Sequence, residues 1–283
     1  MTQDKYLIEP DFADAAKILR GYKNKYEGRR CFIIGNGPSL KPEDLDKIHA
    51  NGDFSIASNR IFLIFDKTEW RPNIYTSRDT AGLKPSIDLI SEIESELKLL
   101  LLMPRQKMLP VRNAVPLREL PTNNMWLITR SMTPFSDDIT RGVYLTNTIT
   151  YVNMQIAVYL GFKEIYLIGI DHQYAKMWHV PDKFRNYDVR ANKDNFKDGQ
   201  VINFAPEIQV VEGIQNHFCA DYMEGVHEIG EKATAYAIDE ATLSYQSAKQ
   251  YAQAHSIKIK NATRGGKLNV FPRVNFDSLF PKK

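Results

Sequence analysis

Gly35-Asn36-Gly37-Pro38-Ser39 follows the apolar run Cys31 to Ile34, a pattern suited to holding phosphate. Gly35 and Gly37 lack a Cβ, so the backbone can turn sharply and a ligand can lie against its amides. Pro42 fits the first position of a following helix, with Glu43 and Asp44 in its first turn. A helix N-terminus facing a glycine turn is a ready phosphate site. A bare Gly-x-Gly equally serves as a connector; here no third glycine completes a dinucleotide fingerprint, and no Walker loop is present. Polar groups end two later apolar runs, Asn59 with Arg60 and Arg78 with Asp79. Arg78 and Asp79 face either phosphate or metal, or pair on the surface.

Asp171 ends the run Lys163 to Ile170 after Gly169. A buried carboxylate must be solvated, paired or coordinated, so Asp171 either orders the site or takes part in the chemistry. Four of the six histidines, His172, His179, His217 and His227, lie between 172 and 230. Their spacing makes no metal pair. His217, within Asn216-His217-Phe218-Cys219-Ala220-Asp221-Tyr222, has neighbours that could orient an imidazole. An unperturbed histidine titrates near pH ~6.5, which suits a general base for a hydroxyl; a surface histidine is the plainer alternative. Arg264, Lys267 and Arg273 surround Gly265 and Gly266. They could brace phosphate oxygens or form a solvated basic loop.

The elements that position these residues follow from periodicity. Ile8, Phe12, Ala15, Ile18 and Leu19 predict a leading amphipathic helix within 8–27. The run Cys31 to Ile34 suits a strand covered on both faces. Further strands are expected at 54–57, 73–76, 99–103, 125–129, 163–171 and 257–261, with helices from Leu45, from Ser86 as a cap, from Thr148 to Leu160 and from Ala233 to Ala252. Thr146 and Thr148 suit a helix cap. Residues 104–124 hold four prolines and read as a long excursion. Residues 172–230 scatter aromatics among charges and suit a lid over a polar ligand. In open parallel sheets ligands sit beyond the carboxyl ends of the strands, so Asn36, Asn59 with Arg60, and Arg78 with Asp79 should converge there.

Composition narrows the class. The 283 residues are 43% hydrophobic and 25% charged, which fits an ordinary soluble protein, and the length fits one large α/β domain. A net charge of +3 with no arginine-rich run argues against nucleic acid. Cys31 and Cys219 suggest a reducing compartment without a disulfide framework. The N-terminus lacks the apolar core of a signal peptide, and no apolar run could span a membrane. The expectation is a cytoplasmic protein, with a peripheral place at the inner membrane surface and a homo-oligomer left open.

Gly35-Asn36-Gly37-Pro38-Ser39-Leu40 after a strand resembles the MptE-like domain, also found in motility-associated flagellin glycosyltransferases, and the bacterial sialyltransferases of the Cst type. The block from Gly142 through Leu160-Gly161-Phe162 to Gly169-Ile170-Asp171 resembles both families again, and the tail 261–274 is similar to the MptE-like family. The resemblance implies a Rossmann-like three-layer α/β sandwich with a mostly parallel sheet and a lid insertion. It divides the single domain into a leading helix (1–28), a nucleotide-binding core (29–171), a lid (172–230) and a C-terminal helix, strand and tail (231–283). For a sialyltransferase it implies a cytidine-monophosphate (CMP) sugar donor of nonulosonic type, a hydroxyl acceptor on a glycan or a protein Ser/Thr, and no required metal. Asn59 and Thr148 would then join Gly35, Asn36, Gly37 and Ser39 at the nucleotide. Tyr174 would assist the departing phosphate with Arg78, Arg264 and Lys267 nearby, and a lid histidine would deprotonate the acceptor. The family's histidine motif does not carry over cleanly onto His217 or His227. For MptE itself the resemblance implies diphosphate transfer from ATP to a hydroxymethyl pterin, with Mg2+ between phosphates and the carboxylates Asp171 and Asp79.

Overall fold

The computed structural model describes residues 7–78, 83–122, 132–182, 206–223 and 235–281. In chain order its strands are β1 (Arg30–Ile34), β2 (Phe54–Ser58), β3 (Ile74–Ser77), β4 (Leu97–Leu102), β5 (Ala114–Arg118), β6 (Glu164–Ile168), β7 (Lys176–His179), β8 (Glu207–Val210), β9 (Tyr236–Ala237) and β10 (Lys258–Asn261). The helices are α1 (Phe12–Arg20), α2 (Pro42–Ala50), α3 (Ile87–Glu92), α4 (Ile149–Tyr159) and α5 (Ile238–Ala254).

The main sheet has seven strands in the order β10-β6-β1-β2-β3-β4-β5, and every neighbouring pair is parallel. Strands of such a sheet are buried on both faces, which is why Cys31–Ile34 of β1 and Leu99–Leu102 of β4 read as unbroken apolar runs. Cys31 and Ile33 pack into one core with α1, α4 and α5, while Phe32 and Ile34 pack into a second core with α2, α3 and the 3-10 segment Asn59–Lys67. The result is the expected three-layer Rossmann-like α/β fold. The chain winds outward from β1 to β5, then returns across the sheet to place β6 on the other side of β1. The crevice between β1 and β6 is therefore the topological switch point, where ligands of open α/β sheets bind.

The structure differs from the sequence reading in places with local causes. The excursion expected over 104–124 contains β5, which pairs with β4 at the sheet edge through Ala114, Val115, Pro116, Leu117 and Arg118. Proline cannot donate to a ladder and is confined to edges, so Pro116 masked an edge strand. The stretch expected to be all lid holds β7 and β8, which pair antiparallel, and β7 pairs in parallel with β9 to complete a small second sheet. The leading helix is limited to α1, capped by Asp11, whose carboxylate accepts from the amides of Ala13 and Asp14. Ser86 and Thr148 occupy N-cap positions but make no side-chain cap bond. The strand expected at 125–129 lies outside the described residues.

Helix α4 is buried almost all round, including Thr150, Asn153 and Gln155. Gln155 is 0% exposed and meets its hydrogen-bonding needs internally. Its Oε1 accepts from the amides of Ser136 (3.1 Å) and Tyr144 (3.0 Å), and its Nε2 donates to the carbonyls of Tyr144 (2.8 Å) and Tyr151 (3.1 Å). The side chain thus pins the segment that leads into the helix. Gln155→Leu keeps the volume but strands those backbone groups, and urea unfolding is expected to show a loss of roughly 2–4 kcal/mol.

Candidate active site

A chamber of about 160 Å3 lies at the carboxyl ends of β1, β2 and β6. Gly35, Asn36 and Gly37 enter it from β1, Ser58 and Asn59 from β2, and Gly169 through Tyr174 from β6. Asn147 through Thr150 line it at the start of α4. The insertion contributes Asn216, His217 and Tyr222, and Tyr236 and Tyr245 come from the C-terminal part. Asn59, Asn147, Thr148 and Ile149 also line an outer chamber of about 380 Å3 with Arg78 and Glu119. No lysine or arginine lines the inner chamber, and Asp171 is its one carboxylate, among the described residues.

The glycine turn is tighter than an open anion cradle. Gly35 and Gly37 donate their amides to the carbonyls of Ile168 and Gly169, both at 2.8 Å. A Cβ on Gly35 would lie 2.4 Å from the Gly169 carbonyl oxygen, and one on Gly37 would lie 2.0 Å from Asp171 Oδ2. The missing side chains thus let the ends of β1 and β6 press together, and those two amides are committed to protein acceptors. Ser39 is committed as well: its hydroxyl (2.8 Å) and amide (3.3 Å) both donate to Asp171 Oδ2. Burial raises the Asp171 carboxyl above its ordinary range, and the Ser39 bonds pull the other way.

Asn36 is the part of the turn that faces the chamber. Its Nδ2 donates to the Ser58 carbonyl at 3.0 Å and to the Tyr222 hydroxyl at 2.9 Å, while its buried Oδ1 has no partner. A buried acceptor left unpaired is costly, so a ligand donor is its natural complement. Asn59 holds a left-handed backbone, φ 55°; its Oδ1 accepts from Ser77 Oγ at 3.0 Å and its carbonyl from the Tyr75 hydroxyl at 2.7 Å. Thr148 Oγ1 lies 3.2 Å from the Tyr245 hydroxyl.

The aromatic wall comes from the insertion. His217 stacks on Tyr222 with ring centroids 3.8 Å apart, and its Nε2 lies 3.1 Å from the Tyr236 hydroxyl. Tyr174 stacks on Tyr236 at 3.9 Å. The Asn216 carboxamide accepts from the Ala175 amide at 2.7 Å, and the Phe218 amide donates to the Asn36 carbonyl at 3.0 Å. These bonds tie the insertion to the ends of β1 and β6. Burial lowers the His217 imidazole to about 4, against the pull of the Asn36 backbone carbonyl. It is therefore neutral at pH 7, and the same burial disfavours its protonated form. Burial likewise lowers His172 to about 4 and raises the Tyr174 hydroxyl.

The structure brings Gly35, Asn36, Gly37, Asn59, Thr148, Asp171, Tyr174 and His217 together. It sets others apart. Arg78 lines the outer chamber, where its Nε donates to Glu119 at 3.3 Å. Arg264 grips Asp44 and Asp277, and Arg273 donates to the carbonyls of Thr263 and Gly265. The Lys267 amide donates to the Asp171 carbonyl at 2.7 Å, but Lys267 lines a different groove. His179, at the end of β7 in the small sheet, lies 3.2 Å from Asp239 in the first turn of α5. Asp79 and His227 lie outside the described residues. Sequence reasoning passed over Tyr236, Tyr245 and Asn147; the aromatic density around the insertion was the available signal for the tyrosines.

A family model described as 6-hydroxymethylpterin diphosphokinase MptE-like matches residues 10–177. The chain belongs to the MptE-like family. The match spans the glycine turn, the switch point and the β6 carboxylate of this MptE-like chain, and the family's description names a transferase. No curated protein matches it. Among solved structures, the sialyltransferase CstII from Campylobacter jejuni, in complex with a substrate analogue, cytidine-5'-monophosphate, is similar at 12% identity and a TM-score of 0.41, covering 88% of this chain and 86% of that one. No described helix is long and apolar enough to cross a membrane.

Magnesium bridging phosphates needs oxygen ligands with room to spare. Among the described residues no group of three or more His, Cys, Asp or Glu could hold a metal, and Asp171 already accepts two bonds from Ser39.

Proposed function

We propose that this MptE-like chain is a glycosyltransferase that takes an activated nonulosonic sugar, as its CMP ester, and passes the sugar to a hydroxyl. The observation that carries the reading is the character of the chamber. It is a wall of amides, hydroxyls and tyrosines with two uncharged imidazoles, His172 and His217, one carboxylate, Asp171, and no lysine or arginine among the described lining residues. Such a wall suits a monophosphate ester better than the tetraanionic tail of ATP, which calls for cations. Asn36, Asn59 and Thr148 hold the nucleotide, and the Tyr174 hydroxyl, raised and so protonated, donates to the departing phosphate.

In the transfer the acceptor oxygen bonds to the anomeric carbon while the carbon–oxygen bond to phosphate breaks. CMP leaves with the electron pair, and the acceptor proton passes to His217. Asp171 orders the turn through Ser39. The sugar class rests on the sequence resemblance to Cst-type sialyltransferases, and the acceptor is a glycan or a protein hydroxyl met in the cytoplasm. The family description favours a second reading, diphosphate transfer to a hydroxymethyl pterin.

Thermal unfolding with added nucleotides separates the two. Ligand at about 100 times its Kd stabilises by about 2.7 kcal/mol, a rise in Tm of about 5 °C for a chain of this size. CMP without metal is expected to give that rise. Stabilisation by ATP only with magnesium, and none by CMP, would establish the second reading instead.

A further inference from the structure

Beside the chamber, His172 forms a shared wall with a groove of about 740 Å3. One side of the groove is a single stripe of α5, on which Thr242, Gln246, Lys249 and Gln253 recur at helical spacing. The facing side is the tail loop with Lys267 and Asn269. No carboxylate lines the groove among the described residues, so its two lysines give it a positive balance that the chamber lacks. The amides and hydroxyl between them supply hydrogen-bond donors and acceptors of the kind that pair with saccharide hydroxyls.

The groove is coupled to the chemistry at two points. His172 Nε2 lies 2.9 Å from Thr242 Oγ1, which anchors the shared wall to α5. The Lys267 amide donates to the Asp171 carbonyl at 2.7 Å, and Gly266 passes so close that a Cβ there would lie 2.8 Å from the same oxygen. The tail loop is thereby held against the end of β6.

We propose that this groove is the acceptor subsite and that it takes an anionic saccharide, with Lys249 and Lys267 on the negative group and the reacting hydroxyl directed past His172 into the chamber. The inference rests on the hydroxyl-transfer reading above. It gives the cations a role at the acceptor, away from the donor phosphate. A carboxylate and a phosphate on the sugar share the chemistry that lysines recognise.

The test uses glucuronic acid, glucose 6-phosphate and glucose as probes, titrated into isotope-labelled full-length protein and followed by the amide shifts of Lys267 and Asn269. The wild type is expected to bind one or both anionic probes at least tenfold more tightly than glucose, and the stronger of the two identifies the anion. Lys249→Gln with Lys267→Gln should abolish that preference while leaving the CMP-induced rise in Tm unchanged. Equal binding of glucose and the anions, no binding of any probe, or an undiminished preference in the double variant would overturn the proposal. Absence of a CMP effect with the preference intact would instead sink the donor assignment and leave the anion site standing.

Discussion

Replacing His217 with alanine is expected to lower kcat by about 10²- to 10⁴-fold, the range for loss of a positioned general base. The KM for the donor should move little, because the imidazole meets the acceptor proton rather than the nucleotide. Alanine also removes a ring stacked on Tyr222, so the fold of each variant must be checked by its Tm. Glutamine serves as the second variant, since it keeps a polar group near the Tyr236 hydroxyl without a basic nitrogen. Both should be equally slow.

The pH profile gives a sharper readout. An ordinary histidine base loses activity as the pH falls through ~6.5. His217, lowered by burial to about 4, is already unprotonated across the neutral range. The kcat/KM of the wild type is therefore expected to be flat from pH 8 down to about 5. An acid limb centred near 6.5 would show that the working base is an exposed histidine and that His217 only packs.

The central strands were legible because they are two-faced: Cys31 to Ile34 and Leu99 to Leu102 are continuous apolar runs, and β6 follows from the helix-strand block ending at Asp171, whereas the strand order came only with the structure. The edge was not, since Pro116 breaks the pattern that an internal strand would need. The small second sheet escaped for a related reason. All four residues of β8 are exposed, so no burial pattern marks them in the sequence. At the site, the strand-end groups Asn36 and Asn59 meet as the strand-end rule expects, but the fate of the cations, Arg78 among them, does not follow from it. Arg264 reaches Asp44, 220 positions earlier in the chain, and such a bidentate pair leaves no trace in local spacing. The glycines illustrate the same limit: Gly35 and Gly37 signal close approach, and the close approach the structure shows is that of the end of β6.

Acid destabilisation is the second large effect, and its sign follows from two buried imidazoles. Burial lowers both His172 and His217 to about 4, whereas in the unfolded chain each titrates near ~6.5. As the pH falls from about 6.5 toward about 4 the unfolded chain therefore binds protons that the folded chain refuses, and folding stability declines across that window. Each histidine can contribute on the order of 3 kcal/mol by the bottom of it. Asp171 acts in the opposite sense. Its raised carboxyl takes up a proton more readily in the folded state, which relieves a cost as the pH falls and offsets part of the decline. Urea unfolding at pH 7, 5.5 and 4.5 should show the midpoint dropping steadily, and His172→Gln with His217→Gln should flatten that drop even though the double variant starts less stable. A decline equally steep without the two imidazoles would place the acid sensitivity elsewhere. The same measurement with CMP added bears on the site, because a ligand that closes the chamber deepens the burial of His217 and should extend the decline to lower pH, while its onset near ~6.5 stays set by the unfolded chain.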